Sequence, residues 1–273
     1  MNSYQTFSPL NDLQYYITPP HNCSYLEKKS ARMVFLDPNH RIDVLTLSEL
    51  SRAGFRRSGD FVYRPECHLC RQCLSSRIPI YAFKMNSIQK KAWNKNQDLS
   101  TSIIPTHLAT EEHFKLYERY ITERHADGDM FPPNQDQFEK FLVRSCTESF
   151  FIEFRLNNQL IAVSTCDALD DGLSAVYTFF DPEQQARSLG TFAILKQIEY
   201  AKTLNLNYVY LGYWVPQSKK MSYKSQYIPL EILIDGQWVR LNHKLSEENI
   251  KKLGESLMTI LPKDWIHHLI NPK

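Results

Sequence analysis

Cys67, Cys70 and Cys73 follow one another with two residues between each pair. Three thiolates at that spacing can converge on one metal ion or iron–sulfur cluster. A tetrahedral site takes a fourth ligand. Cys23 is the first candidate for it, and His21 and His68 are alternatives. The competing reading is a set of reduced thiols packed as small apolar side chains. The chain has six cysteines in 273 residues, too few and too clustered for a disulfide framework. Cys146 and Cys166 lie on apolar patterns and are expected in the core. The nine histidines form no H-E-x-x-H pair, and His267-His268 fall in a tail expected at the surface. There is no P-loop, no G-x-S-x-G elbow and no dinucleotide fingerprint.

A second group of chemical residues sits around one expected strand, Ala175–Phe180. Asp181 ends that strand, followed by Pro182, which cannot donate to a ladder. Asp181 is the candidate to orient or deprotonate an amine, and capping the turn before Pro182 is its plain structural role. Tyr177 lies four residues earlier on the same strand face and is its candidate assistant. Arg187, Ser188 and Gly190 then open an apolar-periodic helix through Phe192, Leu195, Ile198 and Ala201. Tyr208–Leu211 reads as the next strand. Strand, glycine turn, helix and strand make a parallel crossover. A helix N-terminus beside parting strand ends can hold an anionic group of a donor molecule.

The elements that must position these groups come in chain order. Residues 1–22 read as an irregular lead-in, and Met33–Leu36 as a short strand. A helix capped by Thr46 or Ser48 ends near Gly54. Phe61–Tyr63 and Arg77–Ile80 read as strands, and Lys84–Leu99 as a basic helix. Helices over Glu111–His125 and Gln135–Cys146 precede a hairpin turning at Asn157-Asn158. A further hairpin turns at Asp235-Gly236, and a last helix spans about Glu247–Ile260. The fold class is α+β, with a mixed sheet flanked by helices. The division expected is a cysteine-containing basic domain over 1–105 and a catalytic domain over 106–273.

Composition narrows the partners. Hydrophobic residues make up 42% of the chain, enough for a packed core. No run approaches the ~20 apolar residues that span a bilayer. Without a basic-then-apolar leader, a cytoplasmic protein with no membrane partner is the expectation. The net charge of +2 hides an asymmetry: residues 1–105 balance to +6 and the remainder to −4. A basic first part suits a polyanion.

The pattern Arg187-x-x-Gly190 resembles the acyl-CoA loop of GNAT acetyltransferases, whose small residues let the backbone reach a pyrophosphate. Here Phe192 takes a small-residue position, and its ring is expected to crowd a bound coenzyme A. A closer resemblance covers about residues 10–245. It rests on Phe55-Arg-Arg-Ser-Gly59, Tyr63-Arg-Pro65, the Cys67/Cys70/Cys73 run with Arg77-Ile-Pro79, and Phe179–Pro182 with Ser188-Leu-Gly190. Tyr210-Leu-Gly-Tyr-Trp-Val215 with Lys220-Met221 and Tyr223-Lys224 completes it. In these the chain resembles the aminoacyl-tRNA–protein transferases, and the cysteine spacing favours their bacterial aspartate/glutamate leucyltransferase branch. Cys23-Ser-Tyr-Leu-Glu-Lys departs from the C-P-Y-L-P-G common there.

The resemblance implies a GNAT-like catalytic half with its coenzyme groove adapted to the acceptor end of a charged tRNA. The implied reaction passes leucine from leucyl-tRNA to proteins beginning with Asp or Glu, marking them for N-degron degradation. Arginyl-tRNA as donor, or acetyl-CoA on a plain GNAT enzyme, are the alternatives. No cofactor is implied for the chemistry, and a zinc ion or iron–sulfur cluster on Cys23, Cys67, Cys70 and Cys73 is possible. DNA is not an implied partner. Arg187, Ser188, Gly190, Lys220 and Lys224 become tRNA contacts, with Lys219 beside them, and Tyr213, Trp214 and Tyr223 stacking candidates. Arg57 and Arg64 become the cations that select an acidic substrate, with Lys220 and Lys224 as further candidates.

Overall fold

The computed structural model describes residues 10, 13–128 and 130–258. Strands β1 (Tyr15–Ile17), β2 (His21–Asn22), β3 (Ser30–Ala31) and β4 (Met33–Leu36) lead to α1 (Val44–Arg52), β5 (Arg56–Ser58) and β6 (Phe61–Pro65). Then come β7 (Leu74–Pro79), α2 (Ser87–Lys95), β8 (Ser100–Pro105), α3 (Glu111–Arg124) and α4 (Gln135–Phe138). The chain continues through β9 (Ser149–Leu156), β10 (Gln159–Ala168), β11 (Gly172–Phe180), α5 (Leu189–Thr203) and β12 (Tyr208–Trp214). It closes with β13 (Leu230–Ile234), β14 (Gln237–Leu241) and α6 (Glu247–Ser256).

Eight strands form one mixed sheet in the order β14-β13-β7-β12-β11-β10-β9-β8. Only β11 and β12 run parallel, because α5 carries the chain back across the sheet between them. The mixed α+β class with flanking helices is what the sequence pattern leads one to expect. Two turns are set by local chemistry. Asn157 and Asn158 both take positive φ, as do Asp235 and Gly236, and that is the geometry of a tight hairpin.

One face of the sheet is covered by α5, with α2 packed on it. The other is covered by α3 and α4 over β9–β11. Beside them a small sheet, β1-β4-β6-β5, lies with α1 over β12 and β7. The cores follow these layers. Leu195, Ile198, Val209, Leu211 and Trp214 fill the α5 side, and Tyr117, Phe138, Phe151 and Phe179 fill the α3 side. Each such buried ring contributes about 2–3 kcal/mol of transfer free energy.

The sheet ignores the boundary expected at residue 105. Strand β7 pairs with β12 on one side and β13 on the other, and β8 pairs with β9. Residues 74–105 therefore belong to the large sheet, and only the segment before β7 builds the small one. Periodicity within a strand does not reveal which distant strand it joins. Three local expectations also shift. Asp43, rather than Thr46 or Ser48, caps α1, accepting from the Thr46 N–H at 2.7 Å. The second helix before the meander is α4 followed by a π-helical turn, Glu139–Val143. The basic helix is the shorter α2, capped by Asn86. His267-His268 and the end of the last helix lie outside the described residues.

Candidate active site

The parallel pair β11/β12 zips for three residues only, Gly172–Ser174 against Tyr208–Tyr210. Beyond that point the strands part, and both are irregular there. The register of β11 against β10 shifts between the pairs Cys166–Ala175 and Thr165–Tyr177. The register of β12 against β7 shifts at Gly212, which has φ +76°. A bulge adds one residue and flips the face of the residues after it. Tyr210 and Tyr213, three apart, therefore both turn to the small sheet, while Leu211 and Trp214 enter the α5 core.

Arg56 of β5 reaches into the split. Its Nη2 donates to the Ala175 carbonyl at 2.7 Å. A Cβ on Gly212 would lie 2.6 Å from its Cζ, so the guanidinium needs a glycine there. Its Nη1 is shut from solvent and has no partner among the described residues. Beside it lies a cavity of about 10 Å³ lined by Ser75, Ser76 and Ser174.

Lys224 is the second cation. It sits in a 3-10 segment, Lys219–Gln226, and is only 6% exposed. Its Nζ donates to the Tyr213 carbonyl and stands 5.9 Å from the Tyr223 ring centre. Burial, helped by the neighbouring Arg56 charge, pulls its pKa down to about 7. Four tyrosines surround the two cations. Burial raises the hydroxyl pKa values of Tyr25, Tyr63, Tyr213 and Tyr223, and the Arg56 charge opposes each shift. A group that exchanges a proton near neutrality, an arginine and tyrosine hydroxyls thus meet where the sheet opens.

The residues expected to be catalytic lie across the split, on the α3 side. Asp181 is buried and already engaged: its carboxylate accepts from Arg119 at 3.1 Å and from the Glu183 N–H at 3.0 Å. Both contacts fall on one oxygen, Oδ1, as a helix cap held by an ion pair. Tyr177 packs against Tyr120 and Phe141, and burial raises its hydroxyl pKa strongly. Tyr120 in turn lies near enough to Tyr223 to raise its hydroxyl pKa further.

The expected selectivity cations separate by strand parity. Arg57, next to Arg56, points the other way and is 4% exposed. It donates to Asp167 at 2.8 Å and to the carbonyls of Gly59 and Arg144, so its charge is paired although its Nη2 has no partner among the described residues. Ser149 also donates to that Asp167. Arg64 stays at the surface, 3.1 Å from Glu66 and with its Cζ 5.0 Å from the Phe55 ring centre.

Among the expected tRNA contacts, Arg187 forms a two-pronged pair with Asp98, both contacts at 2.9 Å. Ser188 takes a left-handed turn into α5, and Gly190 leaves room, the nearest atom to an added Cβ being Phe180 at 3.7 Å. Lys220 is exposed, 3.4 Å from Asp127. Lys224, by contrast, is buried. Of the stacking candidates, Trp214 and Tyr213 are buried, while the Tyr223 ring is 49% exposed. The ring of Phe192 points into the core against Trp93 and Phe154 and does not crowd the split. The group that occupies the split is Arg56.

Cys67 and Cys70 face each other across an isolated backbone bridge. Burial, then neighbouring thiols including Cys23, raises the pKa of Cys73; burial likewise dominates the rise at Cys70. Cys67, Cys70 and Cys73 line a cavity of about 550 Å³ with Arg64, Tyr213 and Leu233. Among the described residues no three His, Cys, Asp or Glu side chains gather closely enough to hold a metal ion. As placed, the thiols do not fit a metal centre. Cys166 is buried as expected, and Cys146 is half-buried, with burial lifting its thiol to about 11.

Arg56 and the buried state of Lys224 are what sequence reasoning missed. The signal for Arg56 was present: two adjacent arginines in a strand must face opposite ways.

Residues 21–91 match the family model described as arginine-tRNA-protein transferase, N terminus, and residues 112–234 the one described as arginine-tRNA-protein transferase, C terminus. The aspartate/glutamate leucyltransferase of Acinetobacter baylyi is 75% identical over 265 residues, covering 97% of this chain and 98% of that one. That of Acinetobacter baumannii is 72% identical over 270 residues, covering 99% and 100%. The crystal structure of FemX superposes with a TM-score of 0.45 at 8% identity, covering 90% of this chain and 91% of that one.

Proposed function

Because the chain belongs to the arginine-tRNA-protein transferase family, on its aspartate/glutamate leucyltransferase branch, we propose that leucine passes from leucyl-tRNA to a protein's N-terminal Asp or Glu where β11 and β12 part. The observation that carries the location is the split itself: a bulged, unzipped parallel pair with two basic side chains at its opening. The transfer marks its products for N-degron degradation.

The chemistry is aminolysis of an activated ester. The amine lone pair attacks the leucyl carbonyl, the C–N bond forms, and the C–O bond to the terminal ribose breaks. An α-amine has a pKa of ~7.7–8.0, so much of it is protonated at neutral pH. That first proton goes to water; neutral Lys224 is matched to take the second, which the nitrogen sheds as the C–N bond forms, and to return it to the departing ribose oxygen. Tyr177 and Tyr223 wall the opening, and the half-exposed Tyr223 ring is placed to stack the terminal adenine. Lys220, with Lys219 beside it, offers its charge to the tRNA backbone. Arg187 and Ser188 flank the start of α5 on the donor side, Arg187 once freed from Asp98.

Mass spectrometry of peptides beginning with Asp, Glu or Ala, incubated with leucyl-tRNA or arginyl-tRNA, tests the reading. Leucine on the Asp and Glu peptides alone is expected. Arginine in its place moves the protein to the other donor, and no addition with either donor removes the transfer reading.

A further inference from the structure

Among the described residues no carboxylate neutralises the charge of Arg56. Two other buried arginines are closed off by carboxylates: Arg57 by Asp167, Arg77 by Glu231, each at 2.8 Å. Arg56 makes no ion pair among the described residues. Its neighbours are a backbone carbonyl, serine hydroxyls and tyrosines. Lys224 lies close enough for the Arg56 charge to help depress its pKa. The guanidinium sits in a half-buried cleft with no anion of its own among the described residues, which sets up a positive potential in low dielectric. Gly212 is spent on making room for it, at a φ that other residues rarely adopt. A purely structural arginine would not need its counter-ion left out.

We propose that Arg56 reads the side-chain carboxylate of the protein substrate. This rests on the transfer reading and deepens it. The planar fork of a guanidinium suits a carboxylate that arrives two or three bonds from the attacking amine. Binding the side chain at the split therefore also fixes the amine near the ester. Arg57 and Arg64 have no part in this step, because one is sealed and the other faces the surface.

The test is kcat/KM for peptides beginning with Asp, Glu and their neutral isosteres Asn and Gln, at saturating leucyl-tRNA. Wild type is expected to prefer Asp over Asn by about 100-fold or more, the scale set by an unmatched buried charge. In Arg56→Gln that ratio falls to within about threefold, while KM for leucyl-tRNA moves less than about twofold. Arg56→Lys keeps the charge and fills the split, and is expected to retain roughly a tenth of the preference. Circular dichroism of both variants reports folding. An unchanged Asp/Asn ratio in either folded variant overturns the proposal. So does a loss shared equally by every peptide, or one confined to KM for leucyl-tRNA, which would mark Arg56 as a phosphate contact. If wild type leucylates none of the peptides, the transfer reading falls and takes this one with it.

Discussion

Arg77 and Arg56 lie against the same face of the large sheet and live in opposite surroundings. The Arg77 guanidinium donates to Glu231 at 2.8 Å and to the Tyr210 hydroxyl at 3.0 Å. Its Cζ stands 3.6 Å from the Tyr208 ring centre and 4.1 Å from that of Trp238. Glu231 is held in turn by Arg240. Every charge there has its answer inside the fold, so the cluster joins β7, β12, β13 and β14 and nothing more. Arg56 has one neutral acceptor and a second cation for company. The contrast teaches that burial of an arginine says little by itself. Whether the counter-charge is built in or omitted separates a brace from a site.

The comparison breaks most sharply at Lys224. Lys224→Met is expected to lower kcat by about 10²–10⁴-fold, the usual worth of a positioned proton acceptor. It should also leave a stability signature. Between the folded value near 7 and the ordinary lysine value, the unfolded chain holds a proton that the folded chain has lost, so stability should rise with pH. The Lys224 contribution to the slope approaches about 1.4 kcal/mol per pH unit above roughly pH 7.5, while the buried thiols and then the buried tyrosines, with raised values, pull stability the other way as pH climbs, so it is read as the difference between wild type and Lys224→Met. Urea unfolding across that range reads it. A wild-type slope that survives in Lys224→Met assigns it to another group.

Arg77→Gln should cost about 3–5 kcal/mol of stability by leaving Glu231 half-answered. The folded fraction should still discriminate Asp from Asn fully. Loss of that discrimination would mean the two regions are not independent. Gly212→Ala comes next. Strain at positive φ costs about 1–3 kcal/mol, and the new methyl displaces Arg56. Its Asp/Asn ratio should drop with Arg56 still in the chain, and an undisturbed ratio would show that the bulge does not set the arginine. Lys220→Ala is the mildest. Its partner Asp127 is exposed, so stability should hold within about 0.5 kcal/mol. KM for leucyl-tRNA should rise a few-fold, and the salt dependence of binding should flatten by about one unit of slope.

Much of the scaffold was legible because it is written in local patterns. The strand, crossover helix and strand from Gly172 to Trp214 follow from apolar spacing and from Asp181-Pro182. The hairpins at Asn157-Asn158 and Asp235-Gly236 follow from turn chemistry. The site was harder, because it depends on parity and on distant pairing. Arg56 and Arg57 differ by one residue, and the small sheet decides which of them meets the split. Lys224 lies in a polar run, Lys219–Gln226, that reads as solvent-exposed, and only the Tyr213 carbonyl draws it inward. Phe192 reads as an obstacle until α5 turns it toward Trp93. Asp181 was located correctly at the strand end, but its partner Arg119 comes from a helix 62 positions earlier in the chain.

Strand β7, laid down early in the chain, sits between β12 and β13, which come more than a hundred residues later. The sheet therefore cannot close while the chain is still being synthesised up to β11; its centre stays open until the late strands emerge. Two recombinant fragments cut between β8 and α3 should each be insoluble when produced alone, and should recover one another only when refolded as a mixture.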